Sequence, residues 1–251
     1  PAQHRAPLPG WGDYATIITA AAYTAVDLAE TAEGRTDAWA GNATAVANLA
    51  RIATDHGITL VHVSSDYVFD GSKDGPYLED DPIAPLGVYG QTKAAGDTAA
   101  ATAPRHYIVR TSWVIGEGRN FVRTMASLAE RGIDPNVVDD QTGRLTFTTD
   151  IARGIHHLLE TNAPYGVYNL TGTGDPNTWA DIARDVYKLT GHDPARVTGV
   201  STDQSFANAP APVAPRPRNS FLDLTKIQAA GFMPRRWRDQ LAEYVHDDAP
   251  H

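Results

Sequence analysis

The residues whose types could do chemistry together lie between positions 64 and 93. The apolar run "TLVHVSS" (59 to 65) ends in two hydroxyls, Ser64 and Ser65, followed at once by Asp66 and Tyr67. Beyond a loop rich in Gly, Pro and acids, Tyr89 stands four residues ahead of Lys93, a spacing that stacks both on one face of a helix. A phenol with an ordinary pKa near 10 is a poor acid–base catalyst at neutral pH. A cation held about 4 Å away, at an effective dielectric near 20, favours the phenolate by roughly 4 kcal/mol, or about three units. That brings Tyr89 toward the working range of a general acid. A serine hydroxyl at the neighbouring strand end would polarise the carbonyl that the phenol protonates, and Asp66 would either orient one of these groups or bond a sugar hydroxyl. The set suits reversible reduction of a ketone. Ten Tyr and four Lys make the Tyr–Lys spacing common by itself, so the hydroxyl-ended strand just upstream carries the reading.

Such side chains need a scaffold. Strands are predicted at "TIITAAAY" (16 to 23), 59 to 65, "HYIVRTSWVIG" (106 to 116), "NVVDD" (136 to 140) and "GVYNLTG" (166 to 172). Between them the periodicity predicts helices at 38 to 57, stopped by Gly57, and at 88 to 103, 120 to 132 and 148 to 162. This order implies an α/β protein, a Rossmann-like doubly wound parallel sheet with helices on both faces, over residues 1–172. From 173 onward the pattern changes to a helix at 178 to 191, the Pro-rich "APAPVAPRPRNS" (209 to 220) and a last amphipathic helix. Residues 173–251 therefore read as a small, mainly helical substrate-binding part. It would interleave with the first and pack over the sheet's carboxyl edge, where ligands of doubly wound folds sit.

Composition narrows the classes. A chain of 251 residues can bury a sizeable core. A net charge of -9 with scattered acids argues against nucleic acid or anionic membrane as partners. The chain has no cysteine, which removes disulfides and cysteine-based metal sites. His156 and His157 lack metal-ligand companions, and no metal is expected. With no signal-peptide core and no run long enough to span a bilayer, the reading is cytoplasmic. Gly10-Trp11-Gly12-Asp13-Tyr14-Ala15 has the letters of a phosphate loop, but a polar, Pro-containing stretch precedes it and a strand follows, the wrong context for one.

The block "SSDYVFDGSKDGPYLEDDPIAPLGVYGQTKAAGD" resembles the S-T-D-Y-V-F-D-G…Y-G-x-S-K-x-x-G-E block of dTDP-4-dehydrorhamnose reductases, extended members of the short-chain dehydrogenase/reductase superfamily. The likeness continues through "TAAAYTAVDLAE", "VRTSWVIGEGRNFVRTM", "VVDDQTGRLT" and "RPRNSFLDLTKIQAAGF". It implies hydride transfer from NADPH or NADH to C4 of a dTDP-linked 4-keto-6-deoxyhexose. Ser65 would bind the carbonyl, Tyr89 would donate the proton, and Lys93 would hold the nicotinamide ribose and lower the Tyr89 pKa. The loop Ala21, Ala22, Tyr23, Thr24 would flank the dinucleotide, with Thr24, Val26, Asp66, Tyr67 and Trp113 toward the sugar. Trp113 suits core packing equally well. Gln141 and Arg144 would reach the nucleotide or stabilise a turn, and Arg216 would pair with the diphosphate or remain a solvated surface residue.

Departures from the family pattern set further expectations. Ser65 replaces Thr and keeps the hydroxyl. Ile115 stands where the pattern has Tyr and Leu145 where it has Pro, so a different sugar pocket and turn are expected. By the family's usual spacing, roughly 40 residues of strand, Gly-rich loop and helix that precede "AAYT" are missing from this sequence. Two readings stay open: the segment belongs to the protein upstream of residue 1, or the protein has given up the dinucleotide; in the second case an edge strand is left for another chain to cover, a homodimer being one such arrangement. Two other functions stay open: a non-redox sugar-nucleotide-binding or regulatory homologue, and a cofactor-independent enzyme reusing the Tyr–Lys pair.

Overall fold

Four stretches of β-branched and apolar residues pair side by side and in the same direction to form the central layer. The computed structural model describes residues 10–207 and 209–247. Most of the Pro-containing opening stretch thus lies outside the described residues. In chain order the elements are β1 (Thr16–Thr19), α1 (Ala32–Trp39), α2 (Ala45–His56), β2 (Thr59–Ser65), α3 (Val88–Ala100), β3 (His106–Thr111), β4 (Val114–Ile115), α4 (Phe121–Glu130), β5 (Asn136–Val138), β6 (Thr142–Gly143) and β7 (Thr146–Phe147). After them come α5 (Thr148–Glu160), β8 (Gly166–Asn169), β9 (Asn177–Thr178), α6 (Trp179–Leu189), β10 (Thr198–Val200), α7 (Thr202–Phe206), α8 (Thr225–Ala229) and α9 (Trp237–Asp247).

The main sheet runs β1-β2-β3-β8, parallel throughout. Leu60 and Ile108 face α2 through Val46, Ala50 and Ala53 on one side. Val61, Tyr107 and Val109 face α5 and α8 through Ile151, Ile155 and Ile227 on the other. Burial on both faces explains why β2 reads as a nearly unbroken apolar run. Gly57 ends α2 at φ 64, the left-handed conformation that glycine adopts without strain.

A second core lies beyond the sheet. It joins Val122, Met125, Leu145 and Phe147 to Ile182, Val186, Trp237 and Leu241. The strand predicted at 136 to 140 belongs here rather than to the main sheet: β5 pairs with β10 in a separate two-stranded sheet. Periodicity reports that a segment is extended, not which partner it finds. The strand predicted at 106 to 116 is also two, β3 and β4, separated at Trp113, whose φ of 47 is uncommon for a bulky residue. Residues 11–13 form one 3₁₀ turn leading into β1, so Gly10 and Gly12 do not open a helix.

Candidate active site

Ser64 and Ser65 stand at the carboxyl end of β2 because the chain breaks there into a 3₁₀ turn, Asp66–Val68. The Ser65 hydroxyl caps that turn, accepting from the Tyr67 N–H at 3.2 Å. Across the cavity, α3 starts at Val88, whose N–H donates to the Glu30 carboxylate at 2.8 Å, so an acid from a distant loop caps the helix N-terminus. Two glycines let α3 come close. A Cβ at Gly90 would overlap the Tyr67 carbonyl, and one at Gly96 would overlap the Asn42 carbonyl.

Tyr89 and Lys93 both project from α3 into one cavity of about 850 Å³, lined also by Ser65, Asp66 and Tyr67 together with Ala22, Thr24, Val26 and Trp113. Lys93 is 3% exposed and donates from Nζ to the Val63 carbonyl at 2.7 Å. Burial lowers its pKa to about 8, against a raising influence from Asp97. The electrostatics of Tyr89 differ from the sequence expectation. Desolvation pushes the phenol up to about 12; the Ser65 side chain opposes the shift, while Asp66 and Asp97 add to it. Lys93 does not lower it, because the ammonium is turned to Val63 and burial dominates. Asp66 is 3% exposed, and desolvation raises its carboxyl to about 6.

Two groups of supporting residues escaped the sequence reading. The helix from 32 to 56 contains a π-helical stretch at Ala40–Thr44 that presents Asn42. The Asn42 amide accepts from the Tyr23 N–H at 2.8 Å and donates to the Tyr23 carbonyl at 3.1 Å and to Thr92 at 3.0 Å. It thereby ties the loop after β1 to the Tyr–Lys helix. A polar side chain inside an Ala-rich helical run was the available signal. The second group lies one turn below Lys93: Asp97 pairs with Arg110 Nε at 2.9 Å and lies 3.6 Å from His62 Nε2. Desolvation, and secondarily the Lys93 charge, drives the His62 pKa down to about 3, so its ring is neutral. The i, i+4 series Tyr89, Lys93, Asp97 was visible in the sequence, but its partners on β2 and β3 were not.

Other predicted residues lie away from the cavity. Ala21 and Tyr23 do not line it, Tyr23 packing instead in the Ala29–Ala38–Val88 cluster. Gln141 donates to Thr202 at 3.0 Å. Arg144 is buried, donates to the Gly174 and Leu222 carbonyls and lies over Phe221. Arg216 makes a two-oxygen ion pair with Asp27 at 2.9 Å, so it is not a simple solvated cation. Ile115 and Leu145 were expected to alter the sugar pocket and a turn. Both are buried in the second core and neither lines the cavity. Trp113 lines the cavity and stacks on Trp179 at 3.8 Å and 18°, and Trp179 is a further lining residue. His157 bonds the Ala230 carbonyl, His156 is exposed beside Glu160, and no cluster of metal-ligating side chains occurs among the described residues. No helix among them is long and apolar enough to cross a membrane.

A parallel doubly wound sheet with Ser65, Tyr89 and Lys93 gathered at its carboxyl edge defines the class, that of Rossmann-like proteins of the extended short-chain dehydrogenase/reductase type. Within it the chain belongs to the RmlD family: the RmlD substrate binding domain matches residues 12–249. It is 41% identical over 239 residues to the dTDP-4-dehydrorhamnose reductase of Aggregatibacter actinomycetemcomitans, covering 90% of this chain and 78% of that one. It is also 41% identical over 237 residues to a probable dTDP-4,6-dihydroxy-2-methyloxan-3-one 4-ketoreductase of Streptomyces antibioticus, covering 92% and 77%. The crystal structure of a dTDP-4-dehydrorhamnose reductase from Bacillus anthracis in complex with NADP superposes with a TM-score of 0.84 at 32% identity. That match covers 94% of this chain and 81% of that one.

Proposed function

We infer that this chain reduces the 4-keto group of a dTDP-4-keto-6-deoxyhexose with NADPH or NADH. The observation that carries the reading is the gathering of Ser65, Tyr89 and Lys93 in one cavity beside Trp113 and Tyr67, in a chain 41% identical to reductases of such sugars. The nicotinamide end fits the residues present. Among the described residues Lys93 has one hydrogen-bond acceptor, Val63, so its remaining ammonium donors are available to ribose hydroxyls. Tyr89, Lys93 and Ala22, which line the cavity, would hold that end, with Ala21 and Tyr23 setting the course of the loop from outside it. The dinucleotide, when bound, supplies the hydride.

The chain's own residues do the rest. Ser65 donates to the ketone oxygen, and Tyr89 gives its proton to the alkoxide as the carbonyl carbon becomes tetrahedral. Lys93, turned toward the Val63 carbonyl, serves the ribose rather than the phenol. Thr24, Val26, Asp66, Tyr67 and Trp113 surround the sugar. Arg216 meets the diphosphate by exchanging its Asp27 partner for phosphate oxygens, while Gln141 and Arg144 act through the segments they brace, Gln141 through Thr202 and Arg144 through the Gly174 and Leu222 carbonyls. The labour divides as the two cores do: residues 1–172 carry the chemistry, and 173–251, interleaved with 113–147, shape the recognition side.

The test is to follow oxidation of NADPH and of NADH with dTDP-4-keto-6-deoxy-D-glucose as substrate. Turnover that Tyr89→Phe cuts by about 100-fold or more supports the reading. Tight nucleotide-sugar binding without any cofactor oxidation overturns it in favour of a binding subunit, and sugar conversion without cofactor overturns it in favour of an isomerase.

A further inference from the structure

The Ser65 hydroxyl carries one proton and is asked for it from two sides. A carboxylate can only accept, so at 3.1 Å from Asp66 Oδ1 the proton points at Asp66. The Ser65 oxygen already accepts from the Tyr67 N–H at 3.2 Å. In this arrangement Ser65 has nothing left to donate to a ketone. Asp66 is 3% exposed, lines the same cavity, and its second oxygen, Oδ2, is buried without a hydrogen-bond partner.

We propose that Asp66 is a positioning residue that decides which way the Ser65 proton points: as a carboxylate it holds that proton, and as a carboxylic acid it releases the proton toward the ketone oxygen of the ligand. In the acid form Asp66 itself becomes the donor, and Ser65 accepts from it while turning its own O–H into the cavity. No covalent bond is made or broken; one proton is taken up from solvent. This deepens the reductase reading and rests on it.

The surroundings favour the exchange. From the elements packed against Asp66, the titratable groups that face it are the phenols of Tyr67 and Tyr89, both held neutral by burial. The Ser220 hydroxyl faces it from the 209–220 segment without reaching hydrogen-bond geometry. The nearby cations are engaged elsewhere, Lys93 with the Val63 carbonyl and Arg216 with Asp27. With no cation to hold it ionised, the buried carboxyl sits at about 6, inside the range where an enzyme works.

The experiment needs no dinucleotide. Binding of dTDP-4-keto-6-deoxy-D-glucose to the full chain is measured by calorimetry from pH 5 to 8, beside dTDP-glucose, whose C4 hydroxyl does not require Ser65 as donor. The native chain should bind the ketone about tenfold more tightly at pH 5 than at pH 7.5, with a much smaller change for dTDP-glucose. Asp66→Asn, which presents an amide donor to Ser65 at every pH, should lose that dependence and keep the tight value. Ser65→Ala should lose it and bind weakly throughout, with melting temperature recorded for both variants. An unchanged pH slope in either variant, or no slope in the native chain, overturns the inference while leaving the reductase reading intact. Failure of both nucleotide sugars to bind overturns the reading and the inference together.

Discussion

A buried amine carries a desolvation cost in the site. The Lys93 pKa falls from 10.5 to about 8, chiefly by desolvation. Below pH 8 both folded and unfolded chains carry the charge, and the folded one bears an expense of about 3 kcal/mol. As pH rises from 8 to 10.5 the folded chain loses its proton first, so the unfolded state binds more protons and stability climbs. Lys93→Met removes this linkage. Its stability relative to the native chain, measured by urea unfolding, should therefore be most favourable at pH 7 and decline by about 3 kcal/mol toward pH 10.5. An unchanged difference would mean that Lys93 is not held charged in a dry site. The same residue shows what sequence can tell. Tyr89 and Lys93 were legible because their relation is local, one turn of one helix. The direction of the Tyr89 shift was not, because it depends on how much solvent the fold removes and where the ammonium turns.

At the scale of elements, the contacts that hold the site are those between segments far apart in the chain. Asn42 closes a two-bond clasp on the Tyr23 backbone and a third bond to Thr92. Asn42→Ala leaves a part-buried N–H and C=O of Tyr23 without their protein partner and should destabilise the chain by about 1–2 kcal/mol. Hydrogen exchange at the Tyr23 amide should rise with it, and unchanged exchange would show that the loop is held by other means. The glycines of "VYGQTKAAGD" gain a physical reason here, since Gly90 and Gly96 are where α3 touches the Tyr67 and Asn42 carbonyls. The strands and helices near the site were legible from periodicity, whereas the departure of β5 from the main sheet was not: a three-residue run carries no signal of its partner. Ile115 misled for a related reason. A position beside a recognisable motif was read as bearing on the sugar pocket, and the side chain turns into the second core.

For the whole molecule, packing divides chiefly between the two faces of the main sheet and the second core beyond it, and the recognition side depends on that second core. Trp237 is fully buried there and donates from Nε1 to the Asp175 carbonyl at 3.0 Å. Trp237→Ala should cost about 3–5 kcal/mol. Near-ultraviolet circular dichroism should show loss of the Trp113–Trp179 signal at lower denaturant than loss of helix content, if the second core unfolds first. A single coincident transition at both wavelengths would instead show that the two cores melt as one. The α/β class and the late change of pattern were both legible in the sequence. The way residues 115 to 147 join the later helices was not, since that core is assembled from segments with no local relation.

The π-helical stretch at Ala40–Thr44 has a consequence for how the chain tolerates changes in length. One residue fewer there would let the helix run on in ordinary register, with better backbone hydrogen bonding and no loss of apolar packing. The side chains on both flanks would keep their faces, since a π turn absorbs a single extra residue, and only the turn that presents Asn42 would be redrawn. The Asn42 amide would swing off the Tyr23 loop. A deletion that makes this helix more regular would therefore undo the wall of the cavity, so the irregular turn is a stored count of residues on which the alignment of two distant segments depends.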